Sequence, residues 1–166
     1  MIKKPTIYLA APLFNEAELA YNKTLKAKLQ DYFDVFLPQE DGLLLRELVA
    51  NGTSAALAER MVFDADIAAM KESEFILAIL NGAHIDEGVA FELGFSFALG
   101  IRCIGLKTDI RQSLPTGNNP MINQSCEKIF NSADAAVTWL IATCTKKSKF
   151  AFNLIESSPI KLVASE

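Results

Sequence analysis

The feature that most constrains the fold is a repeated alternation of short apolar runs with longer segments of helical periodicity. The run at 75–80, Phe-Ile-Leu-Ala-Ile-Leu, is apolar without interruption, as expected of a strand that is covered on both faces. The other predicted strands are 6–11, 34–37, 101–106 and 127–130. Because parallel strands need crossover connections, the alternation predicts a doubly wound, mostly parallel five-stranded α/β sheet of the flavodoxin or Rossmann type, with helices on both faces.

Helical periodicity fills the gaps between these strands. The predicted helices are 14–29, a long helix from an N-cap at Thr53 or Ser54 to about Lys71, 86–99 ended by Gly100, and 133–143. Residues 39–42, Gln-Glu-Asp-Gly, are predicted to form a polar loop. We divide the chain into one domain, 1–145, and a C-terminal tail, 146–166, in which no clear period is visible.

The composition restricts the partners. Hydrophobic residues make up 51% and charged residues 22%, with a net charge of −4, which is typical of a globular protein and gives no reason to expect nucleic acid or anionic lipid. No apolar stretch reaches the ~20 residues that cross a bilayer, and Pro12 breaks the first apolar run, unlike a signal peptide. The three cysteines form no CxxC pair, which favours a reducing, cytoplasmic compartment. We therefore expect small-molecule ligands.

The sheet type predicts where a ligand binds. In open parallel sheets the site forms at the carboxyl ends of the strands, here the loops after Ala11, Leu37, Leu80 and Leu106. The motifs GxGxxG and GxxxxGK[ST] are absent, which removes the common dinucleotide and P-loop interpretations. With His84 as the only histidine, an HExxH metal site cannot be assembled.

Glu92 lies in the middle of the predicted helix 86–99, which is apolar around almost its whole circumference and is therefore predicted to be buried. A buried carboxylate is either held in a structural ion pair or has a raised pKa, as catalytic carboxylates do. Gly88 and Gly94 flank it, and each costs about 1 kcal/mol relative to alanine in a helix. Their presence predicts a close approach to the backbone, either by a ligand or by the sheet.

Two more carboxylates belong to the same region of the predicted fold. Asp66 lies at the edge of the apolar stripe of the preceding helix, whereas Asp64 is predicted to be solvated. Asp86 begins the Glu92 helix, where an N-cap role is a sufficient explanation. Several carboxylates near one strand end, without a metal motif, match retaining glycosyl transfer, which needs a nucleophile and an acid/base.

Three strings carry a resemblance to a known family: Ile-Tyr-Leu-Ala-Ala-Pro-Leu-Phe at 7–14, Asp-Ala-Asp-Ile at 64–67, and Asp-Glu-Gly-Val-Ala-Phe-Glu-Leu-Gly-Phe at 86–95. In this order the chain resembles the nucleoside 2-deoxyribosyltransferases over most of residues 6–142. The resemblance implies that Glu92 is the nucleophile that forms a deoxyribosyl-enzyme and that Tyr8 orients it. It also implies that Asp66 and Asp86 are the carboxylates around the sugar and base.

The resemblance further implies four substrate-binding residues. Phe14 and Gln39 match positions that contact the base, Gly88 belongs to the string around the nucleophile, and Asn119 matches an asparagine that reaches a neighbouring subunit's site. Structural alternatives stay open: Tyr8 as a core residue, Phe14 as a hydrophobic staple, Gln39 as a solvated residue and Asn119 as a turn former.

The implied function is transfer of a 2-deoxyribosyl group between purine or pyrimidine bases in nucleoside salvage, by a cytoplasmic homo-oligomer without a cofactor. Its ligands are 2′-deoxynucleosides and free nucleobases. The alternatives are a non-catalytic nucleoside-binding module and a 2′-deoxynucleoside 5′-monophosphate N-glycosidase, although residues 10–13, Ala-Ala-Pro-Leu, offer a phosphate no hydroxyl or guanidinium. Two departures from the family are Asn81, where many relatives carry Asp, and a C-terminus without the tyrosine that some members place in the site.

Overall fold

The computed structural model describes the backbone of residues 3–112, 114–115 and 117–156, and the side chains as far as Cys144. Its centre is one sheet with the strand order β2-β1-β3-β4-β5, in which every neighbouring pair is parallel. The strands are β1 Thr6–Ala10, β2 Asp34–Phe36, β3 Phe75–Ile79, β4 Arg102–Leu106 and β5 Lys128–Phe130. This confirms the predicted doubly wound sheet, with the flavodoxin-type order.

The helices follow the predicted order with three additions. They are α1 Glu16–Leu29, α2 Pro38–Asp41, α3 Leu45–Ala50, α4 Ala55–Lys71, α5 Glu87–Ala98, α6 Pro120–Ser125 and α7 Ala133–Glu156. The additions are α2, α3 and α6. Ser54 is the N-cap of α4, its side chain accepting from the Leu57 amide, and Gly100 ends α5 at a φ of +73° that favours glycine.

The strands bury alternate residues on the two faces of the sheet. Ile7 and Leu9 point towards the core formed with α1 and α7, whereas Tyr8 and Ala10 point towards the core formed with α4 and α5. This period of two follows from the pleat of the strand, in which successive side chains lie on opposite faces. It is the reason that Tyr8, and neither of its neighbours, faces the helix that carries Glu92.

Two predictions of local structure were wrong. The Gln-Glu-Asp-Gly segment is not a loop, because Pro38 occupies the first turn of α2 and residues 38–41 are helical. The helix predicted over 133–143 was too short, since α7 continues to Glu156, whereas the division of the chain into a domain and a tail at residue 145 stays a prediction. Residues 157–166, which include the C-terminus, lie outside the described residues. Among the helices of the described part, none combines the length and apolar composition needed to span a bilayer.

The prediction that α5 is buried on all sides was also wrong. Val89, Leu93 and Ser96 are buried against the sheet, but Phe91 is 51% and Phe97 56% exposed. An apolar circumference indicates that a helix avoids water, but it does not say that the same chain covers every side. At Gly94 a Cβ would have no atom of the described residues within 4 Å, so no close approach by that part of the chain explains this glycine.

Candidate active site

A hydrogen bond between Tyr8 and Glu92 forms the centre of the candidate site. The Tyr8 hydroxyl donates to Glu92 Oε1 at 2.6 Å, across 84 positions of the sequence. Tyr8 is fully buried, and its ring stacks on Phe36 with a centroid distance of 5.4 Å. Since β1 and the ring packing hold the phenol in place, the hydroxyl fixes one oxygen of a half-buried carboxylate.

The pKa of Glu92 is raised from 4.5 to about 7, and burial is the main cause. The hydrogen bond from Tyr8 acts in the opposite direction, because it stabilises the carboxylate. The charges of Asp66 and Asp86 then raise the pKa further. Near neutral pH the side chain therefore exchanges between its acid and carboxylate forms, of which only the carboxylate can act as a nucleophile.

Asp66 projects from α4 into the same environment. Burial raises its pKa from 3.8 to about 6, and its charge contributes to the raised pKa values of Glu92 and Tyr8. Its Oδ1 atom is buried and accepts no hydrogen bond from any described residue. A buried carboxylate oxygen without a donor is costly, so this atom is available to a ligand. By contrast Asp64 is exposed, as predicted, and pairs with Arg60 at 2.8 Å.

Asp86 has the structural role that its position predicts. Its Oδ1 accepts from the Val89 amide at 3.0 Å, which makes it the N-cap of α5. A Cβ on Gly88 would lie 3.0 Å from the same oxygen, so a larger residue there would crowd the cap. Because its charge also acts on Glu92, Asp86 combines capping with proximity to the other two carboxylates.

A cleft of about 530 Å³ is lined by Asp86, the N-cap of the helix that carries Glu92. It is formed by the loops after β1, β3 and β4 and by the start of α1, in agreement with three of the four predicted loops. Glu92 and Asp66 are not among the lining residues, so Asp86 is the one of these three carboxylates that faces the cleft. The lining residues are Pro12, Phe14, Asn15, Ala17, Glu18, Tyr21, Asn22, Ile79, Asn81, Gly82, His84, Asp86, Asp109 and Arg111.

The remaining candidates lie in different surroundings. Phe14 is 76% exposed at the cleft, so it is not a packed staple. The Gln39 side chain is not freely solvated, because it accepts from Asn22 and donates to the Leu19 carbonyl. Asn119 lies on a second cleft of about 440 Å³ and caps α6 by accepting from the Met121 amide. The site therefore brings Phe14 to the first cleft but leaves Asn119 on the second.

Sequence reasoning missed the residues whose hydrogen bonds connect the loops after β3 and β4. Lys107 Nζ donates to the carbonyls of Leu80 and Gly82, each at 2.9 Å, and Asp109 accepts from the Gly82 amide at 3.0 Å. Asp109 also accepts from Arg111, and these hydrogen bonds hold its pKa well below the usual range. No motif marks these positions. The one available signal was that they follow Leu106, at a strand end.

Asn81, one of the two departures from the family, also forms hydrogen bonds between the loops after β3 and β4. Its side chain accepts from the Thr108 amide at 2.8 Å and donates to the Thr108 hydroxyl at 2.9 Å. An asparagine supplies both a donor and an acceptor here, whereas an ionised aspartate would supply acceptors only. The residue therefore joins the β3 and β4 loops.

A flavodoxin-type sheet with half-buried carboxylates of raised pKa and a cleft at its strand ends is typical of α/β enzymes that bind small molecules at that edge. The family model for nucleoside 2-deoxyribosyltransferase matches residues 7–154. The chain therefore belongs to the nucleoside 2-deoxyribosyltransferase family.

Solved structures agree with this family. A conserved protein of Enterococcus faecalis V583 is 28% identical, with a TM-score of 0.67 over 81% of this chain and 96% of that chain. A 2-deoxyribosyltransferase of Bacillus psychrosaccharolyticus is 28% identical, with a TM-score of 0.66 over 80% and 90%. A CMP N-glycosidase of Clostridium botulinum, at 16% identity and a TM-score of 0.53 over 81% and 97%, shares the fold. A comparison with curated proteins found no match.

Proposed function

We propose that the protein transfers the 2-deoxyribosyl group of a 2′-deoxynucleoside to a second purine or pyrimidine base. The observation that carries this proposal is the Tyr8–Glu92 hydrogen bond, which positions a carboxylate of raised pKa whose charge interacts with that of a second half-buried carboxylate, Asp66. The family and the Bacillus psychrosaccharolyticus enzyme support transfer as the reaction. Nucleoside salvage in the cytoplasm is the role that fits this activity.

The proposed reaction proceeds in two displacements. In the first displacement a Glu92 oxygen forms a bond to C1′ while the N-glycosidic bond breaks. The electron pair of the broken bond passes to the leaving base, and Asp66 donates a proton to that base. In the second displacement a nitrogen of the incoming base attacks C1′, the ester bond to Glu92 breaks, and Asp66 takes up the proton of that base. With a pKa raised to about 6, Asp66 exchanges protons close to neutral pH.

Hydrolysis is the alternative outcome, because water and a base nitrogen compete for the same C1′ carbon. The exposed ring of Phe14 at the cleft offers a stacking surface for a base, which favours the base over water. A 5′-monophosphate substrate is disfavoured, since residues 10–13 carry no phosphate-binding side chain and the cleft residue Arg111 is already paired with Asp109.

The test is incubation with deoxyinosine, with and without adenine. With deoxyinosine alone we expect slow hydrolysis and a mass increase of one deoxyribosyl unit on the peptide that contains Glu92. With adenine present, most of the sugar should leave as deoxyadenosine. Intact-protein mass spectrometry and product chromatography report the two results. Equal release of deoxyribose with and without adenine, and no deoxyadenosine, would show that the protein is a hydrolase.

We also propose that the protein is a homo-oligomer. The outward face of α5 carries Phe91, Gly94, Phe97 and Ala98, all exposed, and Glu87 is its one charged residue. The Phe91 ring also contacts Phe63 of α4 at a centroid distance of 6.0 Å. An exposed apolar face of this kind is typical of a subunit interface. Self-association would supply the partner through which Asn119 is proposed to reach a neighbouring site.

Asn119→Ala is expected to weaken substrate binding, because the partner's site loses a hydrogen-bonding side chain. Mixing this variant with Glu92→Gln under subunit exchange should restore activity, since a mixed dimer contains one site with both Glu92 and Asn119. When the two variants are mixed in equal amounts, about half of the dimers are mixed and each has one intact site of two, so about a quarter of wild-type activity is expected. Native mass spectrometry verifies the exchange, and verified exchange without any recovery would remove the shared-site proposal.

A further inference from the structure

The geometry points to Asn22 as a positioning residue that sets which bases the site accepts, by locking the side-chain amide of Gln39 in one orientation. This inference rests on the proposed function and on the contact with the base that the family resemblance implies for Gln39, which is not itself among the residues that line the first cleft. It concerns a hydrogen-bonded chain that joins α1, α2 and the loop after β1. Asn22 is 1% exposed and lines the first cleft, and Gln39 is half-buried beside it.

The chain of hydrogen bonds has two unambiguous ends. Asn22 Nδ2 donates to the Pro12 carbonyl at 2.9 Å, and Gln39 Nε2 donates to the Leu19 carbonyl at 3.0 Å. Between them, Asn22 Nδ2 donates to Gln39 Oε1 at 2.9 Å. A backbone carbonyl can only accept, so each end requires an NH₂ group to face it. If either amide rotated by 180°, its side-chain oxygen would face the backbone carbonyl oxygen of Pro12 or Leu19, and the hydrogen bond would be lost.

This chain leaves Gln39 with a defined residual capacity. A side-chain amide has two N–H groups and two oxygen lone pairs, and the chain occupies one of each. The remaining N–H and the remaining lone pair have fixed positions, because Asn22 and Leu19 hold the two ends of the amide. A freely turning glutamine could exchange these two positions to suit either kind of base. The locked one offers a single arrangement.

Nucleobases differ in the pattern that such an amide meets. Adenine and cytosine present an amino donor beside a ring-nitrogen acceptor, whereas hypoxanthine, uracil and thymine present an oxo acceptor beside a ring N–H. A donor and an acceptor in fixed positions satisfy one pattern and leave buried groups unpaired with the other. Asn22 would therefore determine the preference between amino- and oxo-substituted bases while acting through Gln39.

The experiment measures kcat/KM for adenine and for hypoxanthine as acceptors, in wild type and in Asn22→Leu. The wild-type ratio is expected to differ from one by about tenfold or more, the effect of leaving one buried polar group unpaired. In Asn22→Leu the ratio should move towards one, mainly through KM for the preferred base. Asn22→Asp, which keeps the size but removes the donor to Gln39, should move it the same way. Thr24→Val, an exposed α1 residue, is the matched control and should keep the wild-type ratio.

Gln39→Met tests whether Asn22 acts through Gln39. The ratio should be near one in this variant, and adding Asn22→Leu should change it no further, because the two residues form one unit. A wild-type ratio near one, or Asn22 variants that slow both bases equally, would overturn the inference. Loss of adduct on Glu92 in the wild type would instead refute the proposed transfer. In that case the dissociation constants of free adenine and free hypoxanthine measure the preference between the two bases without catalysis.

Discussion

Glu92→Gln is expected to reduce the transfer rate by roughly 10³-fold or more and to abolish the deoxyribosyl adduct, because the amide cannot act as the nucleophile. The substitution keeps the shape of the side chain, and the amide oxygen can still accept the hydrogen bond from Tyr8. The fold should therefore be intact. Product chromatography gives the rate, and intact-protein mass spectrometry gives the adduct.

The same variant is expected to change the pH dependence of stability. The pKa of Glu92 in the folded protein, about 7, lies above its ordinary value of 4.5, so protonation favours the folded state. That contribution is complete below about pH 4.5 and is lost as the pH rises through 7. At pH 8 the ionised carboxylate costs up to about 3 kcal/mol, which Glu92→Gln removes. Thermal unfolding should show the variant to be more stable at pH 8 and equal to wild type at pH 4.

Glu87→Gln provides the control on the same helix. Glu87 is exposed in the first turn of α5, where its charge interacts favourably with the helix dipole, by up to about 1 kcal/mol. We expect wild-type transfer from this variant. A Glu92→Gln protein that retains more than about a tenth of the activity would show that Glu92 is structural, since loss of a nucleophile costs far more.

Asp66→Asn should reduce the transfer rate by about 10²–10⁴-fold, the range for loss of a general acid. The reason is that the leaving base would no longer receive a proton as the N-glycosidic bond breaks. A deoxynucleoside of an N7-methylated purine, which leaves as a neutral base without protonation, should form the adduct at close to the wild-type rate. Rapid-quench mass spectrometry of adduct formation with both substrates measures this difference.

Asp64→Asn is the matched control for this prediction. Asp64 lies two residues away on the same helix, is exposed and pairs with Arg60, so its loss should leave transfer unchanged. If Asp66→Asn slows the methylated and unmethylated substrates by the same factor, Asp66 does not protonate the leaving base and its role is binding or structure.

Much of the local structure followed from the sequence. Ser54 and Asp86 were recognisable as N-caps because a capping side chain before an apolar periodic segment is a local signal. Glu92 was conspicuous because a carboxylate within an apolar helix needs an explanation, and the structure gives it a raised pKa and a tyrosine partner. Its chemical role stays a prediction until the variants are measured.

The sequence by itself determined the five strands, the four longer helices between them, the parallel sheet, and the edge at which a cleft forms, because these follow from hydrophobic period and strand direction. Only the tertiary structure decided which side of α5 is left uncovered, which partner holds the Gln39 amide, and that one oxygen of Asp66 is buried without a hydrogen-bond donor from the described residues. These properties depend on contacts between distant segments, such as the 84 positions that separate Tyr8 from Glu92. Local periodicity carries no information about such contacts, since it records which residues avoid water and not which residues they meet.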